Sequence, residues 1–333
     1  LISFSFPYND SLRENTLNMG FIYDQFYSKA TELWKAAHQL DKPTTDKLSW
    51  TFGFVKGRMD LVDLETHAIV LISSIIINEP MVPKIICAWD SPISFHRHAK
   101  DRLPFYPTRL LQLCDGYDPK YLSKRELPFP LFCLKTRYAD IHRSTLSVNS
   151  WPYSLGLGYR AKYLGIRYST SEWSVISDVD MLNLDACTPY LLANIDCDPS
   201  AFCWSTYYGP DEWGNPAMNV GLCVYNTAKY NNIFLPRLNS IYWKCHRQDS
   251  RFVPTVHREF PDQAENLRVR ILDKSIVNAE KFAPCRKVGP TWVEGRTANY
   301  HAWKGEIARN KDGFGKFYGG VLDQLIAKAK RPA

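Results

Sequence analysis

The sequence predicts an α/β/α sandwich around a mainly parallel central sheet. Short apolar, β-branched runs such as Lys84-Ile85-Ile86-Cys87-Ala88-Trp89 and Trp173-Ser174-Val175-Ile176 recur along the chain. They alternate with longer stretches of helical period, the pattern of a parallel sheet covered by helices on both faces. Several runs end in a polar side chain, at Asp90 and Asp178 for example. Ligands of such folds collect beyond the carboxyl ends of the strands.

Taken in order, Leu1–Phe6 reads as a first strand stopped by Pro7, and Ser11 caps a helix through Leu12, Leu17 and Phe21. A second helix runs from Tyr27 to Leu40, with Ala30, Leu33, Trp34 and Ala37 on one face. Asp41-Lys42-Pro43 ends it. Leu48 to Met59 is ambiguous between helix and strand. Leu64–Ile77 reads as a helix closed by Asn78-Glu79-Pro80, and Pro83–Asp90 as a second strand. Ser91 to Pro130 is an irregular Pro- and Arg-rich stretch, followed by a short strand over Leu131–Leu134. A helix over Ser154–Gly165 carries Arg160, Lys162 and Tyr163 and leads into the strand at Trp173. Beyond it come a helix over Pro189–Ile195, a strand over Ala201–Ser205, a loop from Tyr208 to Pro216 and a strand over Met218–Asn226. Helices over Ile233–His246, Phe260–Leu267 and Val321–Lys328 complete the expectation.

Composition narrows the class. At 333 residues, 45% hydrophobic and 23% charged, the chain can bury one large core, and we expect a single domain over 1–333. The net charge of +7 is dispersed, which argues against a nucleic-acid partner and suits a pocket for an anionic substrate. The longest apolar run, Ala68–Ile77, falls short of the ~20 residues of a membrane span, so no transmembrane segment is expected. Nine cysteines without a CxxC pair read as small buried hydrophobes in a reducing compartment. A cytoplasmic location follows, or a lumenal one if an N-terminal anchor preceded Leu1.

The chain's chemistry centres on Ile176-Ser177-Asp178-Val179-Asp180. In an extended backbone residues i and i+2 face one side, and two such carboxylates repel unless a cation lies between them. Oxygen ligands and a phosphate-bearing substrate suit Mg²⁺ or Mn²⁺. Asp-x-Asp also occurs as a solvated turn or a helix N-cap pair.

Four pieces together resemble the GT-A-type glycosyltransferases, which move a sugar from a nucleotide-sugar donor. Phe6-Pro7-Tyr8-Asn9 is similar to the end of the family's first strand, which lies against base and ribose, and Trp89-Asp90-Ser91 to the acid that reads the base. Tyr159-Arg160-Ala161-Lys162-Tyr163-Leu164-Gly165, followed by the Asp pair, resembles the basic helix leading into the metal-binding motif. Met218-Asn219-Val220-Gly221 resembles the Asn-x-Gly strand near the transferred sugar.

The resemblance implies a GT-A (Rossmann-like) fold. Residues 1–185 would form a nucleotide-binding half, and 186–333 an acceptor-binding half with a C-terminal metal-site segment. Phe6, Tyr8, Asn9, Asp90, Asn219 and Gly221 would contact the donor, and Arg160, Lys162 and Lys304 its diphosphate. Asp178 and Asp180 would hold Mn²⁺ or Mg²⁺, Asp180 more directly, since Asp178 also suits ribose hydroxyls. His301 resembles the C-terminal histidine completing such sites; a histidine packed between Tyr300 and Trp303 is the plainer alternative. Asp262, in Pro261-Asp262-Gln263, resembles the acid that deprotonates an acceptor hydroxyl; it also reads as a helix N-cap. Asp211 and Glu212 are the competing bases. The donor implied is a UDP-sugar, and the acceptor a glycan, a lipid-linked saccharide or a protein. Trp204, Tyr207, Tyr208 and Trp213 are candidates for stacking on sugar rings or for the core.

The spacing departs from compact members between the first two strand ends, so Asp10 to Met81 reads as an elaboration. Ser91 to Pro130 is likewise without a match. Two other functions share the opening clue. A haloacid-dehalogenase-like phosphohydrolase would use Asp178 as nucleophile, although the motif's fifth residue here is Leu182. A catalytically inactive module would bind nucleotide or glycan without transfer.

Overall fold

The computed structural model describes residues 25–55, 64–90, 125–126, 131–135, 162–163, 165–167, 169–210, 216–245, 249–277, 286–288, 291–293, 299–301 and 319–331. Of these, 54–55, 64–65, 88–90, 125–126, 131–135, 208–210, 216–217, 242–243, 286–288, 291–293, 299–301 and 319 are described by backbone alone. A helix α1 over residues 25–37 precedes β1 (Thr44–Val55), α2 (Leu64–Asn78) and β2 (Val82–Asp90). Then come β3 (Arg125–Glu126), β4 (Leu131–Lys135), a helical turn holding 162–163 and 165–167, β5 (Trp173–Ser177), β6 (Met181–Asn183) and α3 (Thr188–Cys197). The second half holds β7 (Cys203–Pro210), β8 (Pro216–Asn226), α4 (Leu235–Ile241), α5 (Phe252–Glu259) and β9 (Val269–Ile271). Short strands β10 (Arg286–Val288), β11 (Thr291–Val293) and β12 (Asn299–His301) and the helix α6 (Gly319–Ala329) end it.

Eight strands form one sheet in the order β3-β4-β2-β1-β5-β8-β7-β9. β4, β2, β1 and β5 are mutually parallel, as are β7 and β9, whereas β3, β8 and β7 join their neighbours antiparallel. The mainly parallel α/β sheet expected from the sequence is therefore present. Its period-2 alternation sends side chains to two apolar layers. Leu48, Trp50 and Phe52 of β1, Val175 of β5 and Val224 of β8 meet α1, α2, α3 and α6. Ile176, Cys203, Cys223 and Tyr225 meet α4, α5 and Tyr163 and Ile166 of the helical turn. The expected face of α1 is buried, with Ala30, Leu33, Trp34 and Ala37 all in the core. Cys87, Cys187, Cys203, Cys223 and Cys245 are buried as small apolar side chains, while Cys197 is exposed.

Several boundaries differ from the sequence reading. The strand beside β5 and β2 is Thr44–Val55, which overlaps the stretch read as ambiguous and as part of an elaboration. Leu1–Phe6 and the first expected helix lie outside the described residues. Phe260–Leu267 is not a helix: a 3-10 turn over Pro261–Gln263 follows α5, because the amphipathic run begins earlier, at Phe252. The Ile233–His246 helix is broken into a π turn over Tyr230–Phe234, α4 and a 3-10 turn over Tyr242–Cys245. β7 runs to Pro210 and β8 starts at Pro216, so the expected loop shortens to the five residues between them.

Candidate active site at the carboxyl end of β5

β5 is held on both sides, by Trp50 and Thr51 of β1 opposite Val175 and Ile176, and by Val224 and Cys223 of β8 opposite the same pair. At its end the buried Ser177 hydroxyl accepts from the Trp50 indole N–H at 2.8 Å. Asp178 then leaves the strand, and Val179 and Asp180 form a turn into β6. The carboxylates are thus carried by a turn rather than by extended backbone, and alternation does not aim them. Val179 does: it is buried in the apolar layer beside Met181 and Leu182, which fixes the turn. Asp180 is only 6% exposed, whereas the Asp178 side chain is 33% exposed.

The Asn-x-Gly segment of β8 bends around this turn. Ser205 of β7 pairs with Cys223, yet Thr206 pairs with Asn219, so residues 220–222 bulge away from β7. Bulges re-aim backbone groups next to sites. Here the Gly221 carbonyl accepts from the Asp178 N–H at 2.9 Å, and the Asn219 side chain accepts from the Gly221 N–H at 3.1 Å. The Val220 carbonyl accepts from the Lys162 ammonium at 3.0 Å.

Lys162 is the charged centre of the site. Its Nζ lies 2.7 Å from Asp178 Oδ1 and 2.6 Å from Asp249 Oδ2, with both Lys162 and Asp249 buried. The second contact is a buried ion pair. Burial opposes charge on Lys162, but the attraction of Asp178 and Asp249 outweighs it and raises the pKa, keeping an ammonium. Burial pushes the Asp249 carboxyl up, and Lys162 pulls it back. The ammonium thus meets two carboxylates and a carbonyl, beside the acid turn where a diphosphate contact was expected of it. Gly165 makes this placement possible. A Cβ there would lie 2.0 Å from Thr51 Oγ1, so only glycine lets the turn lie on β1, where the Thr51 hydroxyl donates to the Lys162 carbonyl at 2.9 Å.

β12 brings the C-terminal segment to the same place. It pairs antiparallel with β6, His301 opposite Met181 and Asn299 opposite Asn183. The His301 backbone therefore lies across from the residue after Asp180, 120 positions away in the chain. β6 is anchored from below by Glu79, a buried carboxylate at the end of α2. It accepts from Asn183 Nδ2 at 3.0 Å and from the backbone N–H groups of Cys187 and Thr188 at 2.9 and 3.0 Å.

Asp262 does not join this group. Leu267 N–H donates to the Gln263 carbonyl, Phe202 N–H to the Arg268 carbonyl and Asn226 N–H to the Phe202 carbonyl, and Asn226 pairs with Trp173. Asp262 is thus tied to the amino end of β5, and five residues of strand span roughly 16 Å. α5 carries the chain between the two ends, from Asp249 beside Lys162 to Asp262. Asp249 went unrecognised because nothing in Gln248-Asp249-Ser250 distinguishes it from a solvated acid; only the buried Lys162 does.

Of the other expected site residues, Asp90 ends β2 next to Val55 of β1, and only its backbone is described. Phe6, Tyr8, Asn9, Arg160, Asp211, Glu212 and Lys304 lie outside the described residues. Of the candidate stacking aromatics, Trp204 is buried and Tyr207 is 43% exposed. Among the described residues no three His, Cys, Asp or Glu side chains form a group that could hold a metal ion, and no helix is long and apolar enough to cross a membrane.

No protein-family model matches the chain, and no curated protein does. Its backbone is similar to that of solved glycosyltransferases, the class its motifs resemble. Mouse xyloside xylosyltransferase 1, in its apo form, is 14% identical, with a TM-score of 0.42 over 79% of this chain and 97% of that one. An active-site mutant of LgtC is 11% identical, with a TM-score of 0.49 over 86% and 97%. Apo GlyE of Streptococcus pneumoniae TIGR4 is 10% identical, with a TM-score of 0.43 over 86% and 64%. At these identities and scores the likeness says nothing of donor, acceptor or metal.

Proposed function

We propose that the protein is a glycosyltransferase that moves a sugar from a nucleotide-sugar, a UDP-sugar in the first instance, to a hydroxyl of a glycan or similar acceptor. One observation carries this reading: the Asp-x-Asp turn leaves β5 at its carboxyl end while β12 sets His301 across from Met181. Nucleotides bind beyond the carboxyl ends of such strands, and β1, β2 and β5 all end on this side.

Asp178 and Asp180 offer carboxylate oxygens, the ligand type that suits a hard divalent cation; Asp180 is buried and Asp178 keeps part of its side chain open to solvent. Asp178 and Asp180 would hold Mn²⁺ or Mg²⁺ with His301. When bound, the cation would supply positive charge where the leaving diphosphate gathers negative charge. The chain's own groups do the rest. Lys162 fixes the orientation of Asp178, and the Asn219–Gly221 bulge fixes its backbone. Asp90, at the end of β2, is proposed to read the base, and Arg160 and Lys304 to meet the diphosphate. Of the candidate bases, Asp211 and Glu212 follow Pro210, which leaves β7 at the same end of the sheet as Asp178 leaves β5. Asp262 lies at the other end.

Thermal stability against UDP-, GDP- and dTDP-sugars, each with and without Mn²⁺, tests the reading. Ligands that bind only the folded state raise the melting temperature. The expected result is a Mn²⁺-dependent rise with one nucleotide, lost in Asp180→Ala. No rise with any donor on folded protein would overturn it.

A further inference from the structure

We propose that Asn78, at the carboxyl end of α2, is a positioning residue for the Asp-x-Asp turn, and that Lys328 of α6 sets its side-chain amide; this rests on the reading of that turn as part of the donor site. Asn78 is buried, and its amide joins segments far apart in the chain. Its Oδ1 accepts from the Lys328 ammonium at 2.6 Å, 250 positions away. Its Nδ2 donates to the Asn183 carbonyl at 2.7 Å and to the Ser74 carbonyl at 3.0 Å. An ammonium can only donate and a carbonyl can only accept, so these three partners admit one orientation of the amide.

β6 is the short link between this amide and the acids. Met181, Leu182 and Asn183 are all buried, and Met181 directly follows Asp180. The last turn of α2 grips Asn183 at three points. The Ser74 hydroxyl accepts from its N–H at 3.1 Å, Glu79 accepts from its Nδ2 at 3.0 Å, and Asn78 donates to its carbonyl. Shifting β6 along the helix would break buried hydrogen bonds, so the turn that carries Asp180 takes its position from α2. Lys328 is not required to finish that helix. Lys42 already donates to the Ile77 and Glu79 carbonyls at 2.6 and 2.8 Å, which answers the backbone groups a helix end leaves open. What Lys328 adds is a charge-assisted bond to Asn78 Oδ1, which polarises the amide and strengthens its bond to Asn183. α6 holds Lys328 there because Leu322, Leu325 and Ile326 pack into the same apolar layer as α2. The solvated pairs Lys330–Glu32 and Lys29–Asp323 add little to that docking.

Amide exchange on the full chain, read by mass spectrometry without ligand, measures the hold on β6 directly. Wild type is compared with Asn78→Ala, Lys328→Met and Lys328→Arg. One buried hydrogen bond shifts an opening equilibrium roughly fivefold. Asn78→Ala and Lys328→Met should therefore speed exchange over Met181–Asn183 by about fivefold or more, while Trp173–Ser177 keeps its rate. Lys328→Arg retains a charged donor and should stay within about twofold of wild type. UDP affinity, titrated by calorimetry with Mn²⁺ in excess, should fall by the same order in the first two variants and hold in the third. A merely structural role predicts exchange that rises alike across the sheet, with the UDP affinity of the folded protein unchanged. Either result would overturn the proposal, as would unchanged exchange in Lys328→Met. If Asn78→Ala fails to fold, Lys328→Met, at an exposed position, decides by the same thresholds. No UDP binding by folded wild type would instead sink the donor reading, while the exchange rates would still decide whether α6 holds the turn.

Discussion

The backbone N–H of Asp178 donates to the carbonyl of Gly221 at 2.9 Å, which ties the first acid of the Asp-x-Asp turn to the bulge in β8. Asn219, only 7% exposed, holds that bulge by accepting from the Gly221 N–H. Asn219→Ala removes the acceptor and leaves a buried N–H without it, a loss of about 1–3 kcal/mol in unfolding free energy. Asn219→Asp keeps a side-chain oxygen in place and should lose less on that account. Urea denaturation of the two variants checks the order. Equal losses would mean that the bulge does not depend on this bond.

Gly165 and Thr51 set how closely the Lys162 turn approaches the sheet. In Gly165→Ala the added Cβ meets Thr51 Oγ1 at 2.0 Å and its Cβ at 2.6 Å, so turn or strand must move. Overpacking of this kind costs about 1–3 kcal/mol. Because the displaced turn carries Lys162, Asp178 should lose orientation as well, and donor-induced stabilisation should fall with it. Adding Thr51→Ala removes the closest contact but leaves the 2.6 Å approach, so recovery should be partial. Melting curves of the single and double variants with and without UDP and Mn²⁺ test both statements.

The site's strands were legible where both faces are apolar and illegible where one buried face is polar. Trp173-Ser174-Val175-Ile176 announces itself by its branched side chains. β1 carries a different signal: Leu48, Trp50 and Phe52 alternate with Ser49, Thr51 and Gly53, the pattern of a strand with one wet face. Ser49 and Thr51 are nevertheless fully buried. Their hydroxyls bond to Ser169 and Ser174 and to the Lys162 carbonyl, partners supplied by tertiary packing alone. The pairing of His301 with Met181 is consistent with the C-terminal segment expected near the Asp pair. Asp249 and Glu79 could not be found in advance, since both look like surface acids until the groups they meet are brought over.

Glu79 holds β6 and the start of α3 together. Glu79→Ala strips acceptors from Asn183 Nδ2, Cys187 N–H and Thr188 N–H at once, and should cost roughly 3 kcal/mol or more. Glu79→Gln retains one oxygen but turns an amide NH2 toward a donor, and should fall between wild type and alanine. Because Asn183 pairs with Asn299, the damage should spread to β6, with faster amide exchange over Met181–Asn183 than elsewhere in the sheet. Exchange that is uniform across the sheet would assign Glu79 to α3 capping alone.

His257, on α5, gives the fold a pH dependence with a definite sign. Its Nε2 lies 2.7 Å from the Leu267 carbonyl, and burial pushes its pKa below the ordinary histidine value. Above about pH 6.5 the imidazole is neutral folded and unfolded, and pH has no hold on stability through it. As pH falls below that value the unfolded chain takes up the proton while the folded one still resists. The unfolded state then binds more protons, so stability falls with pH, by at most about 1.4 kcal/mol per pH unit for one group. The loss ends once pH passes below the lowered folded value. The stability difference between wild type and His257→Gln should be constant above pH 7 and shift against wild type between pH 6.5 and 5. Taking the difference cancels the other histidines, and denaturation midpoints at four pH values are enough to measure it. A flat difference across that range would mean that His257 is protonated as easily in the folded protein as out of it.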